Sequence, residues 1–305
     1  MKGLFKVSNI HELYYEIWGN PKGIPIIFLH GGPGMGFNHS DKNFFDCKKY
    51  RVLFFDQRGA ARSKPYGCVN ENTTNLLVDD INTLTEELNF KKFYVFGGSW
   101  GSTLALVYAI RNPSRVLGLL LRGIFLANKS AIKHYIGGGV EKFFPKVWER
   151  LISIVPIEKQ GDVAGYYYKK MCYSESKTAT KFAKEWAIYE LSIYKIGLNE
   201  KNILDLVNSI PFKSLSKLEA HFISNECFLP ENYILDNCYK IKDIPTFIVH
   251  GRYDMICPPI YAYQLHQKLK SSKLYILTAG HASSEPEIKK KLTKELESMV
   301  GTIIK

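Results

Sequence analysis

Paired cysteines are missing from this chain. Its six, Cys47, Cys68, Cys172, Cys227, Cys238 and Cys257, include no CxxC pair and none stands at metal-ligand spacing from a histidine. That excludes the zinc-ribbon and zinc-finger patterns and leaves no sign of a disulfide framework. Reduced thiols in a cytoplasmic protein, with no metal and no cofactor, are the expectation. Long apolar runs are missing too, and none reaches the ~20 residues of a membrane-spanning helix. The opening Met1-Lys2-Gly3-Leu4-Phe5-Lys6 leads into polar residues rather than an apolar signal region. A soluble protein without a membrane partner is expected.

Acidic residues are scarce, 29 against 41 lysines and arginines, for a net charge of +12. The basic excess is scattered, with no long basic block and no aromatic-interleaved basic patch, so it reads as a solvated surface and not as a nucleic-acid site. Internal repeats and low-complexity tracts are absent, and nothing in the sequence sets an oligomeric state. What is present is length: 305 residues bury about three quarters of their unfolded surface, enough for a large core without staples.

Strand-like apolar runs occupy residues 13–18, 24–29, 52–55, 93–96, 116–121, 246–249 and 274–277, and helical patterns 75–88, 102–111, 260–269 and 287–300 alternate with several of them. Alternation of this kind predicts an α/β fold, a mostly parallel sheet with helices on both faces. Residues 128–239 change character: aromatic and charged residues recur at helical spacing, as in Phe143, Phe144, Val147, Trp148, Leu151 and Ile152, without a convincing buried strand. This predicts a core of residues 1–127 and 240–305 with a helical cap, 128–239, inserted between two strands. The cap is expected over the carboxyl ends of the strands, where open α/β sheets bind ligands, although most of its aromatics should simply pack its own interior.

Gly97-Gly98-Ser99-Trp100-Gly101 lies between the strand 93–96 and the helix 102–111, which is the strand–turn–helix setting of a nucleophile elbow. A hydroxyl alone is a weak nucleophile and needs a base. Downstream, Asp254 stands just past the strand 246–249, and His281 follows the strand 274–277. Asp254 is also an ordinary turn residue. Serine, acid and histidine in that order, each past a strand end, nevertheless match the triad sequence of such hydrolases. His281 would take the Ser99 proton and return it to the leaving group, and Asp254 would hold the imidazole tautomer. His30-Gly31-Gly32-Pro33-Gly34 lets backbone N–H groups approach an oxyanion, with the Trp100 amide as the second donor. A phosphate-binding loop is the competing reading, but the lysine and the Ser/Thr of a P-loop are missing.

These motifs together resemble the proline iminopeptidases, α/β-hydrolase-fold aminopeptidases that release an N-terminal proline. The resemblance rests on HGGPG at 30–34, DQRG at 56–59, GGSWGS at 97–102, RGIF at 122–125, HGRYD at 250–254 and GH at 280–281, and spans most of the chain. It implies Ser99, Asp254 and His281 as the catalytic residues and Gly32 and Trp100 as the oxyanion hole. It further implies that Glu190 and Glu219 hold the free amino group of a short peptide, a role suited to carboxylates in a water-poor cleft. Phe125 and Trp100 would line an apolar pocket for the pyrrolidine ring. Two departures stand out: Tyr189-Glu190-Leu191 where the family commonly has Trp-Glu-Gly, and Ile223 where an aromatic is common. Both bear on proline preference rather than on catalysis. Two alternatives stay open: an esterase or amidase of the same fold acting on neutral substrates, and a catalytically inert binding protein. Epoxide hydrolases and haloalkane dehalogenases place an aspartate at the elbow, which Ser99 argues against.

Overall fold

The computed structural model describes residues 1–303; Ile304 and Lys305, the last positions of the expected core segment, lie outside the described residues. In chain order come β1 (Lys2–Lys6), β2 (Glu12–Gly19), β3 (Ile24–Leu29), β4 (Tyr50–Phe55), α1 (Thr74–Glu87), β5 (Phe93–Gly98), α2 (Trp100–Arg111) and β6 (Val116–Arg122). Seven helices follow before the next strand: α3 (Lys129–Ile136), α4 (Pro145–Ile152), α5 (Val163–Tyr173), α6 (Ser176–Tyr194), α7 (Glu200–Ser209), α8 (Phe212–Ser224) and α9 (Tyr233–Asn237). The chain then closes with β7 (Thr246–Gly251), α10 (Pro259–Lys268), β8 (Ser272–Leu277) and α11 (Pro286–Ile303).

The eight strands form one sheet in the order β1-β2-β4-β3-β5-β6-β7-β8. The β1–β2 and β2–β4 pairs are antiparallel, and every other pair is parallel. Alternation along the strands divides the core between the two faces: Leu53, Phe55, Phe93 and Val95 pack with α1, α2 and α10, while Val52, Phe54, Tyr94 and Phe96 pack with α11. Strands buried on both sides in this way must be apolar throughout, which is why β3 to β6 read as continuous runs. β1 was not foreseen from the sequence, because an edge strand half open to solvent carries no such run; its residues alternate exposed and half-buried.

Trp186, Tyr189 and Phe222 join the main core, a smaller cluster of Ala187, Ile188, Leu191, Ile203 and Val207 joins α6 to α7, and Phe143 is 63% exposed. Most of the aromatics of residues 128–239 pack against one another as expected, Tyr135 with Trp186 and Tyr189, Trp148 with Tyr189, and Tyr167 with Phe182 and Trp186. No described helix is long and apolar enough to cross a membrane.

Candidate active site

All the parallel strands end at the same edge of the sheet, and the motif residues gather there: His30 past β3, Gln57 past β4, Ser99 past β5, Gly123 past β6, Asp254 past β7 and His281 past β8. Ser99 holds a backbone that L-residues rarely adopt, φ 58° and ψ −127°, a strain of about 1–3 kcal/mol that only a surrounding framework sustains. The framework is visible. The Ser99 N–H donates to the Arg122 carbonyl (2.9 Å), and the Ser99 carbonyl accepts from the N–H and the hydroxyl of Ser102 (2.8 and 2.7 Å). A β-carbon at Gly101 would stand 2.0 Å from the Leu29 carbonyl oxygen, so only glycine lets α2 begin this close to β3. The Ser99 hydroxyl caps no helix and lies against the Cys257 thiol.

Asp254 and His281 are both almost fully buried, and the His281 Nδ1–H donates to Asp254 Oδ2 at 2.7 Å. A carboxylate on Nδ1 fixes the tautomer and leaves the Nε2 lone pair free to take a proton. Asp254 Oδ1 accepts from the N–H groups of Ile256 (3.1 Å) and Cys257 (2.7 Å). Burial pushes the Asp254 carboxyl up, but His281 and these hydrogen bonds outweigh it and hold the group below its ordinary value. Burial likewise pulls the His281 imidazole below its ordinary value, opposed by Asp254 and helped by Arg122. Buried His250 accepts from the Ile124 N–H at Nδ1 (3.2 Å) and donates from Nε2 to the Cys257 carbonyl (2.6 Å), tying the turn that carries Asp254 to the chain after β6. Ser99 and His281 line one cavity of about 320 Å³, and no direct hydrogen bond joins the hydroxyl to the ring among the described residues. Such contacts are often loose before substrate binds.

Asp254, Cys257 and His281 also form the one group of potential metal ligands among the described residues, their ligand atoms within 4.8 Å of one another. The chemistry fits poorly: burial holds the Cys257 thiol neutral, and His281 Nδ1 is committed to Asp254, whereas metal ligation needs a thiolate and a free imidazole nitrogen.

The expected oxyanion donors, the N–H groups of Gly32 and Trp100, have no acceptor among the described residues. A buried network aims them. The Gln57 N–H donates to His30 Nε2 (2.9 Å), which leaves the ring's proton on Nδ1, facing the Gly31 carbonyl at 2.8 Å. In a trans peptide the carbonyl and the following N–H point in opposite directions, so binding the Gly31 oxygen turns the Gly32 N–H away from His30. Gly32 takes φ +107°, available to glycine alone. The Gln57 side chain donates to the His30 carbonyl (3.0 Å) and accepts from the Trp100 indole (2.8 Å), so one residue braces both donors. Gln57→Ala should lower kcat about tenfold with little change in KM, a fraction of the 10²–10³ lost when a donor is deleted outright. Steady-state rates on a proline naphthylamide would check this.

Glu219 and Glu190 face each other from α8 and α6. Glu219 Oε2 accepts from the Trp186 indole (2.6 Å) and the Tyr135 hydroxyl (3.3 Å), while Glu190 Oε2 is buried without a partner. Burial, and then the charge of Glu190, pushes Glu219 well up; burial pushes Glu190 up to about 7, opposed by its contact with Glu219. Two carboxyls this close share a proton until a cation arrives. Glu219 lines a small cavity of about 20 Å³ with Gly32, Ser99, Trp100, Phe125, Phe222 and Ile256, and Glu190 lines the larger one, so the pair stands where the two cavities approach Ser99.

The alpha/beta hydrolase fold model matches residues 24–287. The chain is 40% identical over 300 residues to the proline iminopeptidase of Arabidopsis thaliana, covering 97% of this chain and 79% of that one. It is 36% identical over 307 residues to the proline iminopeptidase of Neisseria gonorrhoeae, covering 99% and 97%. Among solved structures, an esterase from Exiguobacterium antarcticum superposes with TM-score 0.67 at 19% identity, covering 99% of this chain and 100% of that one. The proline iminopeptidase of Mycobacterium smegmatis superposes with TM-score 0.65 at 17% identity, covering 98% of each.

Proposed function

We infer, because this chain belongs to the proline iminopeptidase family of α/β-hydrolase-fold enzymes, that it is a serine aminopeptidase releasing an N-terminal residue, preferably proline, from short peptides with a free N-terminus. The observation that carries the reading is the buried pair Glu190 and Glu219 beside Ser99: two acids with no salt bridge among the described residues suit the ammonium group of the residue whose carbonyl is attacked. Residues 128–239 act as the cap that supplies this pair, and the six free cysteines fit a cytoplasmic protein.

His281 Nε2 takes the Ser99 proton as the hydroxyl attacks the carbonyl, and the negative oxygen settles between the Gly32 and Trp100 N–H groups. Collapse of the tetrahedral intermediate breaks the C–N bond, and the imidazolium returns the proton to the leaving amine. Water, activated by the same imidazole, then hydrolyses the acyl-enzyme. Phe125, Trp100, Phe222 and Ile256 give the small cavity an apolar wall suited to a pyrrolidine ring. At about 20 Å³ it holds little more than one water, so its lining must give way to admit the ring.

A panel that varies the N-terminal residue and blocks the amine tests the reading. Proline substrates should be fastest, and acetylation should cut kcat/KM by at least about a hundredfold, since truncating one partner of a buried charge pair costs 2–5 kcal/mol. Glu190→Gln and Glu219→Gln should each raise KM by about tenfold or more. KM should also climb as pH falls through about 7, where Glu190 gains a proton and loses its attraction for the ammonium. Equal turnover of free and acetylated substrates, unchanged in both variants, would instead identify an esterase or amidase acting on neutral substrates.

A further inference from the structure

We propose that Arg122 forms a subsite for the free C-terminal carboxylate of a dipeptide, on the leaving-group side of Ser99; this rests on the aminopeptidase reading. Arg122 ends β6, and its side chain is 8% exposed. Its Nη1 donates to the His281 carbonyl at 2.6 Å, while its Nε is buried with no partner. No carboxylate lies within ion-pair distance of it among the described residues. The guanidinium is packed against the elbow, since a β-carbon at Gly98 would stand 2.7 Å from Nη2. A guanidinium that is desolvated, unpaired and open to a cavity of about 320 Å³ shared with Ser99 and His281 is a site for an anion, because its fork matches a carboxylate in two parallel hydrogen bonds.

The side on which it stands decides which anion. His281 must reach the leaving amine to protonate it, so the residue after the scissile bond lies beside that ring, and Arg122 is bonded to the same residue's carbonyl. In a dipeptide the carboxylate is one carbon from that amine. The same cavity holds Glu190 for the ammonium and Arg122 for the carboxylate, the two charges of a zwitterion. Asp41 also lines it, its carboxyl accepting from the Asn38 N–H at 2.8 Å; burial pushes this carboxyl up to about 6, opposed by that bond and by the charge of Arg122, with which it forms no salt bridge. A longer peptide carries a neutral amide at this position and forgoes the pairing.

The test compares Pro-Gly with Pro-Gly-amide. Wild type should favour the free acid in kcat/KM by about tenfold or more, the worth of a hydrogen bond to a charged group, even though glycinamide is the less basic leaving amine. Arg122→Met should bring the ratio near one, and Arg122→Lys should retain part of the preference. No preference in wild type, or a preference that survives Arg122→Met, overturns the subsite. Because the wild-type ratio stands alone, a variant that fails to fold does not spare the proposal. Failure of wild type to cleave either substrate would sink the aminopeptidase reading instead.

Discussion

Ser99→Ala should abolish turnover of every substrate the enzyme accepts, lowering kcat by about 10⁶, the loss seen when the nucleophile of a serine hydrolase is removed. The size of the effect follows from division of labour: without the hydroxyl no acyl-enzyme forms, and His281, held by Asp254, has no proton to take. The fold should be unchanged, because the Ser99 hydroxyl makes no capping bond and the strained turn is held by backbone and Ser102 contacts. A fluorophosphonate should label wild type and leave Ser99→Ala unlabelled, with circular dichroism confirming that both are folded. Turnover surviving the substitution would show that the chemistry lies elsewhere.

Asp254→Asn should reduce kcat by about 10⁴ while leaving KM for a proline naphthylamide within a few-fold. An amide offers the ring an N–H as readily as an oxygen, so the His281 tautomer with its proton on Nδ1 is no longer enforced and Nε2 can be occupied when the serine needs it. The pH profile gives a second signature. His281 already titrates below its ordinary value because of burial, and Asp254 is what opposes that fall. Wild-type kcat, which does not carry the effect of Glu190 on KM, should therefore decline on the acid side only below the ordinary histidine range, as the imidazole gains a proton, and that limb should move to still lower pH once the opposing charge is gone. A limb that moves upward, or a loss under tenfold, would contradict the role assigned to Asp254.

Much of this arrangement was legible in the sequence for a physical reason. Parallel strands buried on both faces are written as unbroken apolar runs, and the residues that follow each run stand at the edge where ligands bind; Ser99, Asp254 and His281 could be placed by counting strands. Partnerships that span the chain leave no such mark. Gln57 meets Trp100 across 43 residues, and Arg122 meets His281 across 159. DQRG and RGIF stand out as motifs, yet nothing in a linear reading says that Gln57 braces two amides or that an arginine ends its strand without a salt bridge among the described residues. β1 is illegible for a different reason, since a half-exposed edge strand carries no unbroken apolar run.

Glu190 and Glu219, the acids proposed to meet the substrate's amine, stand on α6 and α8, inside a stretch that leaves the sheet after β6 and returns at β7, while Ser99, Asp254 and His281, the proposed triad, stand just past the strand ends. On that reading, recognition of the free amine is written in a length of the polypeptide separate from the one that cleaves the bond. A chimaera that keeps the sheet and exchanges the intervening helices for those of another hydrolase would inherit the reaction and lose the taste for peptide N-termini, so each length is free to change at its own pace.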